Sequence, residues 1–179
     1  TEQVEDPLKG TVDIWCPHIN SVNTANIGTE QAAGNEFWYY TCCNLVNKPT
    51  VSFVDPAVDH KALFWCAFAF DFEGFLFWDA AAYVDQDVND PYYVGYDNKG
   101  DAIMLLNDAD LNPVTTIVWE TMRDGLEDFE YFELLKEKDP TNEYLDAIIN
   151  VWDDFASYPR DFRDYTAIRR NIGILLSDL

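Results

Sequence analysis

The sequence predicts an α/β fold built on parallel strands, and three observations carry that expectation. Gly74–Asp79 reads Gly-Phe-Leu-Phe-Trp-Asp, an apolar run that opens at a glycine and stops at a carboxylate. Such unbroken runs suit a strand covered on both faces, as in a parallel sheet. The stretch before it, Asp55–Phe72, reads as a helix, so the strand is preceded by a crossover connection. From Val12 to Asp79 the pattern alternates strand, helix, strand, helix, strand, and that spacing predicts right-handed parallel crossovers. The strand ends in Trp-Asp and opens into a long polar and aromatic loop, Val84–Asn112, the form taken by the ligand end of an α/β barrel. The competing reading makes Trp78 a side chain that only fills the core.

The elements follow in order. Val12–Pro17 is a short apolar strand closed by Pro17. Asn23–Ala33 is a weak helix that Gly34 terminates. Glu36–Cys43, EFWYYTCC, is a strongly β-prone second strand. The helix Asp55–Phe72 starts on Asp55 as N-cap with Pro56 at the first helical position. After the long loop, Pro113–Met122 and Leu126–Lys138 read as helices joined at Gly125, and Asp139-Pro140 breaks the chain. Thr141–Tyr158 is amphipathic, with Tyr144, Leu145, Ile148, Trp152 and Phe155 at helical spacing and Thr141 as its cap. Pro159 ends it, and Arg160–Leu176 is the last helix. The chain divides into 1–138, an α/β portion, and 139–179, a helical extension. Three parallel strands leave bare sheet edges, and a closed barrel needs eight strands and about 250 residues. The chain therefore reads as the C-terminal portion of something larger, or as one that pairs with another chain.

Composition narrows the partners. With 33 acidic and 11 basic residues the net charge is -22, which repels nucleic acid and anionic membranes. No apolar run is long enough to span a bilayer, and Thr1–Lys9 is polar and acidic, unlike a signal peptide. The acidity is spread along the chain and fits a solvated surface in a secreted or cell-surface setting. Cys16, Cys42, Cys43 and Cys66 form no CxxC pair; two disulfides are conceivable, and buried thiols are the preferred state. With only His18 and His60 available, a zinc site is not expected. The loop acids Asp85, Asp87, Asp90 and Asp97 lack EF-hand spacing for calcium. No cofactor is expected.

Five segments in order resemble one family: VDIWCPH at Val12–His18, EFWYYTCC at Glu36–Cys43, HKALFW at His60–Trp65, EGFLFW at Glu73–Trp78 and ETMRDGLEDFEY at Glu120–Tyr131. Together they are similar to the C-terminal domain of family 123-type glycoside hydrolases, over roughly Asp13 to Glu137. The resemblance implies the C-terminal part of a (β/α)8 TIM-type barrel, with these strands as its last three, followed by extra C-terminal helices. It implies hydrolysis of β-linked N-acetylhexosaminides, notably N-acetylgalactosaminides, in which the substrate's own acetamido oxygen attacks the anomeric carbon. Such substrate-assisted enzymes depart from the two-carboxylate nucleophile scheme. The family's catalytic residues are an adjacent Asp-Glu at the end of an earlier strand, and this chain contains no Asp-Glu dipeptide. That pair is expected from the rest of the barrel, on an upstream segment or a partner chain. Smaller departures are Lys61 where relatives usually have Arg, Asp71 where they often have Gly, and Val118 in place of a common Arg.

The candidate glycan-binding residues are Trp78, Tyr40, Trp15, His18 and Asp79. Trp78 suits the wall of a sugar pocket, because an aromatic ring stacks on the apolar C–H face of a pyranose. Tyr40 shares a strand face with Trp38 and Cys42 and either bonds a sugar or is satisfied internally. Trp15 either lines the pocket or packs in the core. His18 either bonds a hydroxyl or is structural. Asp79 either binds hydroxyls or caps the following turn. Arg123, Asp124 and Gly125 are expected to pin their helix to the barrel, and Glu127, Asp128 and Glu130 to be acids of a helix's first turns. Tyr92, Tyr93 and Tyr96 are candidates for an outer subsite.

Overall fold

A computed structural model describes residues 3–42, 45, 47–80, 103–152 and 154–178. A three-stranded parallel sheet is ordered β1 (Ile14–Trp15), β2 (Glu36–Thr41), β3 (Gly74–Phe77). Its register pairs Trp15 with Phe37, Trp38 with Gly74 and Tyr40 with Leu76. The crossovers are α1 (Thr24–Ala32) and α2 (Ala57–Ala69), as the alternation predicts. Asn23 caps α1, its side chain accepting from the Ala25 N–H. Among the described residues there are five α-helices, and none is long and apolar enough to cross a membrane.

The core lies between the sheet and α2, α3 (Ile117–Lys138), α4 (Glu143–Asn150) and α5 (Phe162–Asp178). Trp65 of α2 sits at its centre, edge-on to Phe132 and Tyr165. In α2 ten residues are buried, polar Asp59, His60 and Lys61 among them. Each finds partners: Asp59 accepts from Tyr158 Oη and Arg160, both at 2.7 Å, which ties the segment before α5 to α2.

Several expectations change. Asp55 does not cap α2; Pro56 occupies that position and makes no side-chain cap bond. Pro113–Thr115 is not helical but a strand, β5, antiparallel to β4 (Leu105–Asn107). The hairpin turn is built on Asp108, whose Oδ1 accepts from the Asp110 and Asn112 N–H groups, and this local bonding outcompetes helix. Helix α3 then starts on Thr116, whose hydroxyl accepts from the Trp119 N–H, and runs unbroken through Gly125. Asn142 rather than Thr141 caps α4, which stops at Asn150, although Trp152 and Phe155 beyond it remain buried. Glu127, Asp128 and Glu130 consequently lie mid-helix, away from the α3 N-terminus. Nor is β3 covered on both faces: Leu76 is 43% exposed. Cys43, Asp85, Asp87, Asp90, Tyr92, Tyr93, Tyr96 and Asp97 lie outside the described residues.

Candidate functional site: an open aromatic sheet face

Side chains of register-paired residues point to the same side of a parallel sheet, and alternate residues point to opposite sides. Trp15, Phe37, Tyr39, Thr41 and Phe75 therefore face the helices, and the first four are buried. Tyr39 donates to the Leu63 carbonyl at 2.6 Å and packs on Phe72 and Phe75. The other face carries Ile14, Glu36, Trp38, Tyr40, Gly74 and Leu76. Among the described residues no helix covers it: Ile14 is 49% exposed and Trp78, beyond the end of β3, is 45% exposed.

Gly74 shapes that face. A Cβ at this position would lie 2.3 Å from the Trp38 ring, so the indole lies directly across the Gly74 backbone. Trp38 Nε1 donates to Glu36 at 3.1 Å, which holds the ring in place. Tyr40 stands one pleat further toward the C-terminal ends of the strands. His18 bridges to it in parallel register, with ring centroids 5.0 Å apart. The Asn20 N–H donates to His18 Nδ1 at 3.3 Å, which puts the proton of the neutral imidazole on Nε2. The loops at this end are tied together: Lys48 donates to the Ile19 carbonyl at 3.1 Å, and the Met104 and Leu105 N–H groups donate to the Ala80 carbonyl. Burial pushes the Cys16 thiol up, which favours the neutral form beside this rim.

Of the sequence candidates, His18 and Tyr40 are brought together, and Trp78 and Asp79 lie at the end of the neighbouring strand. Trp15 is elsewhere. It is 1% exposed on the helix side, and its Nε1 donates to Glu30 at 2.9 Å, so the even-odd alternation places it in the core. Cys66 is buried there too, whereas Cys16 and Cys42 are half-buried.

The Arg-Asp-Gly triplet divides by role. Arg123 is 58% exposed, and among the described residues its ion pairs are with acids of its own helix, Glu120, Asp124 and Glu127. Gly125 forms the close contact: a Cβ there would lie 2.7 Å from the Lys61 carbonyl oxygen. The electrostatic pin is Asp128, expected from the sequence as an acid of a helix's first turns. It accepts from Trp65 Nε1 at 2.8 Å and forms ion pairs with Lys61 at 2.7 Å and Arg169 at 3.0 Å. Its periodicity was the available signal, since Asp128 shares a helical stripe with buried Thr121, Gly125, Phe132 and Leu135. Trp38 was also missed, because the Trp38–Gly74 pairing depends on inter-strand register.

The arrangement is suited to holding a ring with one apolar face and several hydroxyls: indole and phenol surfaces, a phenolic hydroxyl, an imidazole and a strand-end carboxylate. Among the described residues no group of His, Cys, Asp and Glu is placed to hold a metal ion.

Comparisons with known proteins add the following. The profile of the glycoside hydrolase 123 catalytic domain matches residues 2–135. Among curated proteins none matches. Among solved structures, the chain is similar to a family 123 glycoside hydrolase from Clostridium perfringens, described for glycolipid glycan hydrolysis. The TM-score is 0.73 at 15% identity, covering 99% of this chain and 35% of that one, a likeness of fold. The chain thus spans about a third of the length of that solved structure.

Proposed function

The chain belongs to the glycoside hydrolase 123 family, and from that premise we propose that it is the C-terminal part of a (β/α)8 barrel acting on β-linked N-acetylhexosamine glycans. The observation that carries the reading is the open sheet face. It carries Trp38 and Tyr40, with Trp78 just beyond the end of β3, it lies opposite the helices, and it leads to the C-terminal strand ends, where barrel enzymes bind substrate. A face of this kind in an isolated three-stranded sheet has no solvent-side rationale; inside a closed eight-stranded barrel its middle packs as the barrel core, and its C-terminal end, at Tyr40 and Trp78, borders the pocket.

In this reading Trp78 stacks on the sugar ring, Tyr40 and His18 bond its hydroxyls or acetamido group, and Asp79 accepts from hydroxyls. The acetamido oxygen attacks the anomeric carbon to give an oxazoline. The remaining part of the barrel supplies an Asp that orients the acetamido group. It also supplies a Glu that protonates the leaving oxygen and then activates water. The family relative described for glycolipid glycans makes a glycolipid sugar a natural substrate to try. Residues 139–179 form a helical extension of this barrel portion, α4 and α5 bracing α2 and α3. The acidic composition suits a secreted or cell-surface setting.

The test is an aryl β-N-acetylgalactosaminide assay on the longest natural polypeptide containing this chain, with and without Trp78→Ala. Turnover that falls with the substitution supports the reading, and absence of turnover in the unaltered polypeptide sinks it. The lack of an Asp-Glu dipeptide in these 179 residues favours a second reading, a carbohydrate-binding subunit without catalysis. Sugar binding without turnover would assign it.

A further inference from the structure

We propose that Gly74 and Trp38 together set the depth of the sugar pocket. The Trp38 indole is its apolar floor, which receives the methyl of a two-carbon N-acyl group and turns away longer acyl chains. This rests on the N-acetylhexosamine reading above and deepens it by giving a role to two residues that the reading leaves unassigned.

Glycine weakens a strand, so the one that opens β3, in Gly-Phe-Leu-Phe, marks a close approach. What approaches is Trp38, its register partner. A Cβ on Gly74 would meet Trp38 Cδ2, Cε2 and Cγ at 2.3, 2.5 and 2.6 Å, so the ring occupies the space of the missing side chain. Three adjoining ring atoms at nearly equal distance mean that the indole lies flat on β3 rather than standing off it. With any other residue at position 74 the ring would stand up into the open face.

The height and the chemistry of this floor are both defined. Trp38 lies one pleat, about 7 Å, below Tyr40 on the same strand face, and His18 stands level with Tyr40. In the closed barrel the indole is then the top of the packed middle, directly beneath the pocket. Its single polar atom is already engaged, since Nε1 donates to Glu36 at 3.1 Å, toward the N-terminal end of β2. The half-buried ring thus offers only apolar carbon toward Tyr40. An N-acetylhexosamine has two apolar surfaces, the C–H face of its ring and its acetamido methyl. Trp78, exposed beyond the strand end, suits the first. The methyl is left for Trp38, with the acetamido oxygen and nitrogen level with Tyr40 and His18. A ring resting on the Gly74 backbone and tethered to Glu36 cannot sink, so each added methylene meets a hard surface.

The experiment is calorimetric titration of the longest natural polypeptide containing this chain with methyl β-N-acetylgalactosaminide and with its N-butanoyl analogue. The unaltered protein is expected to bind the N-acetyl sugar at least about tenfold more tightly. Trp38→Leu lowers the floor, and the preference should shrink to about threefold or less through better binding of the N-butanoyl sugar. Gly74→Ala lifts the ring, and N-acetyl binding should weaken at least about tenfold. Adding Gly74→Ala to Trp38→Leu should change little, because the ring it displaces is gone. Circular dichroism checks that each variant is folded, and Trp38→Leu alone decides the matter where Gly74→Ala does not fold. A preference unchanged in Trp38→Leu, with both sugars weakened alike, would make Trp38 a core residue only and overturn the proposal. So would an unaltered protein that binds the two sugars equally. Either result leaves the N-acetylhexosamine reading standing, whereas absence of binding to both sugars would overturn the two together.

Discussion

The Lys61 ammonium lies 2.7 Å from the Asp128 carboxylate, with the two side chains only 6% and 2% exposed. Trp65 and Arg169 complete the acid's surroundings, so α2, α3 and α5 meet at one buried charge. Burial still holds the Asp128 carboxyl above its ordinary value, the nearby cations opposing it. The native state therefore keeps a proton that the unfolded chain has released, and stability falls as pH rises through the window between the two values. Lys61→Met removes one cation and widens that window. Its deficit relative to the unaltered chain is expected to be small near about pH 4 and to grow to about 3–5 kcal/mol at neutral pH. Urea unfolding across that range checks it; a pH-independent deficit would refute the assignment.

Gly125 lets the same two helices approach. Its missing Cβ would meet Lys61 backbone atoms at 2.7 and 3.0 Å and the Phe64 ring at 3.0 Å. Alanine is the better helix former by about 1 kcal/mol. The contacts are with backbone, which cannot rotate away, so Gly125→Ala is expected to destabilise by about 1–3 kcal/mol net. A variant as stable as the parent would mean that α3 can slide along α2 at no cost.

How much of this was legible follows from which forces are local. Strand-helix alternation, the breaker at Asp139-Pro140 and the Asn23–Ala33 helix are written in neighbouring residues, and they appear where expected. The β4–β5 hairpin depends on side-chain-to-backbone bonds of Asp108, which a helical pattern over Pro113–Met122 conceals. Gly125 reads as a joint between helices, because glycine's role as a contact residue needs knowledge of Lys61. At the site, His18 and Tyr40 were legible as residues near strand ends. The interlock of Trp38 with Gly74 was not, because register between parallel strands is set by packing.

The two tryptophans of the site reading are separable by experiment. Trp15 is buried and bonded to Glu30, while Trp78 is 45% exposed on the open side. Trp15→Ala is expected to cost about 3–5 kcal/mol of stability. Trp78→Ala should leave stability within about 0.5 kcal/mol and weaken N-acetylgalactosamine binding by roughly tenfold. Thermal unfolding and fluorescence titration of the same two proteins check both statements. Equal loss of stability would remove Trp78 from the open face.

His60 sets a pH limit of its own. Its Nε2–H donates to the Ser52 carbonyl at 2.8 Å and its Nδ1 accepts from the Thr121 hydroxyl at 3.0 Å, an arrangement suited to neutral imidazole. Burial lowers its pKa below 6.5, more than the Ser52 bond and nearby Asp59 and Asp55 raise it. Below that ordinary value the unfolded chain binds a proton that the native state refuses, so stability falls as pH drops from about 6.5 toward the depressed value. His60→Gln is expected to be less stable at pH 7 but to lose less between about pH 7 and 5.5. Parallel slopes in the two proteins would show that other groups carry the acid sensitivity.

Asp71 ends α2 in a conformation that favours glycine. Its φ is 53°, and the Phe72 N–H reaches back to the Ala67 carbonyl at 2.8 Å, closing the helix as a glycine C-cap would. A residue with a Cβ carries a penalty of about 1 kcal/mol in this left-handed region. Against it stands an exposed ion pair, Lys136 Nζ to Asp71 at 3.3 Å, in which the two side chains are 46% and 75% exposed. Pairs so exposed contribute between nothing and about 1 kcal/mol and weaken in salt. Asp71→Gly is therefore expected to raise stability by up to about 1 kcal/mol, with the gain larger at high ionic strength, where the lost pair no longer counts. Denaturant unfolding at low and high salt distinguishes the outcomes. Destabilisation that persists in high salt would mean that the Asp71 side chain supports the turn by some contact other than the Lys136 pair.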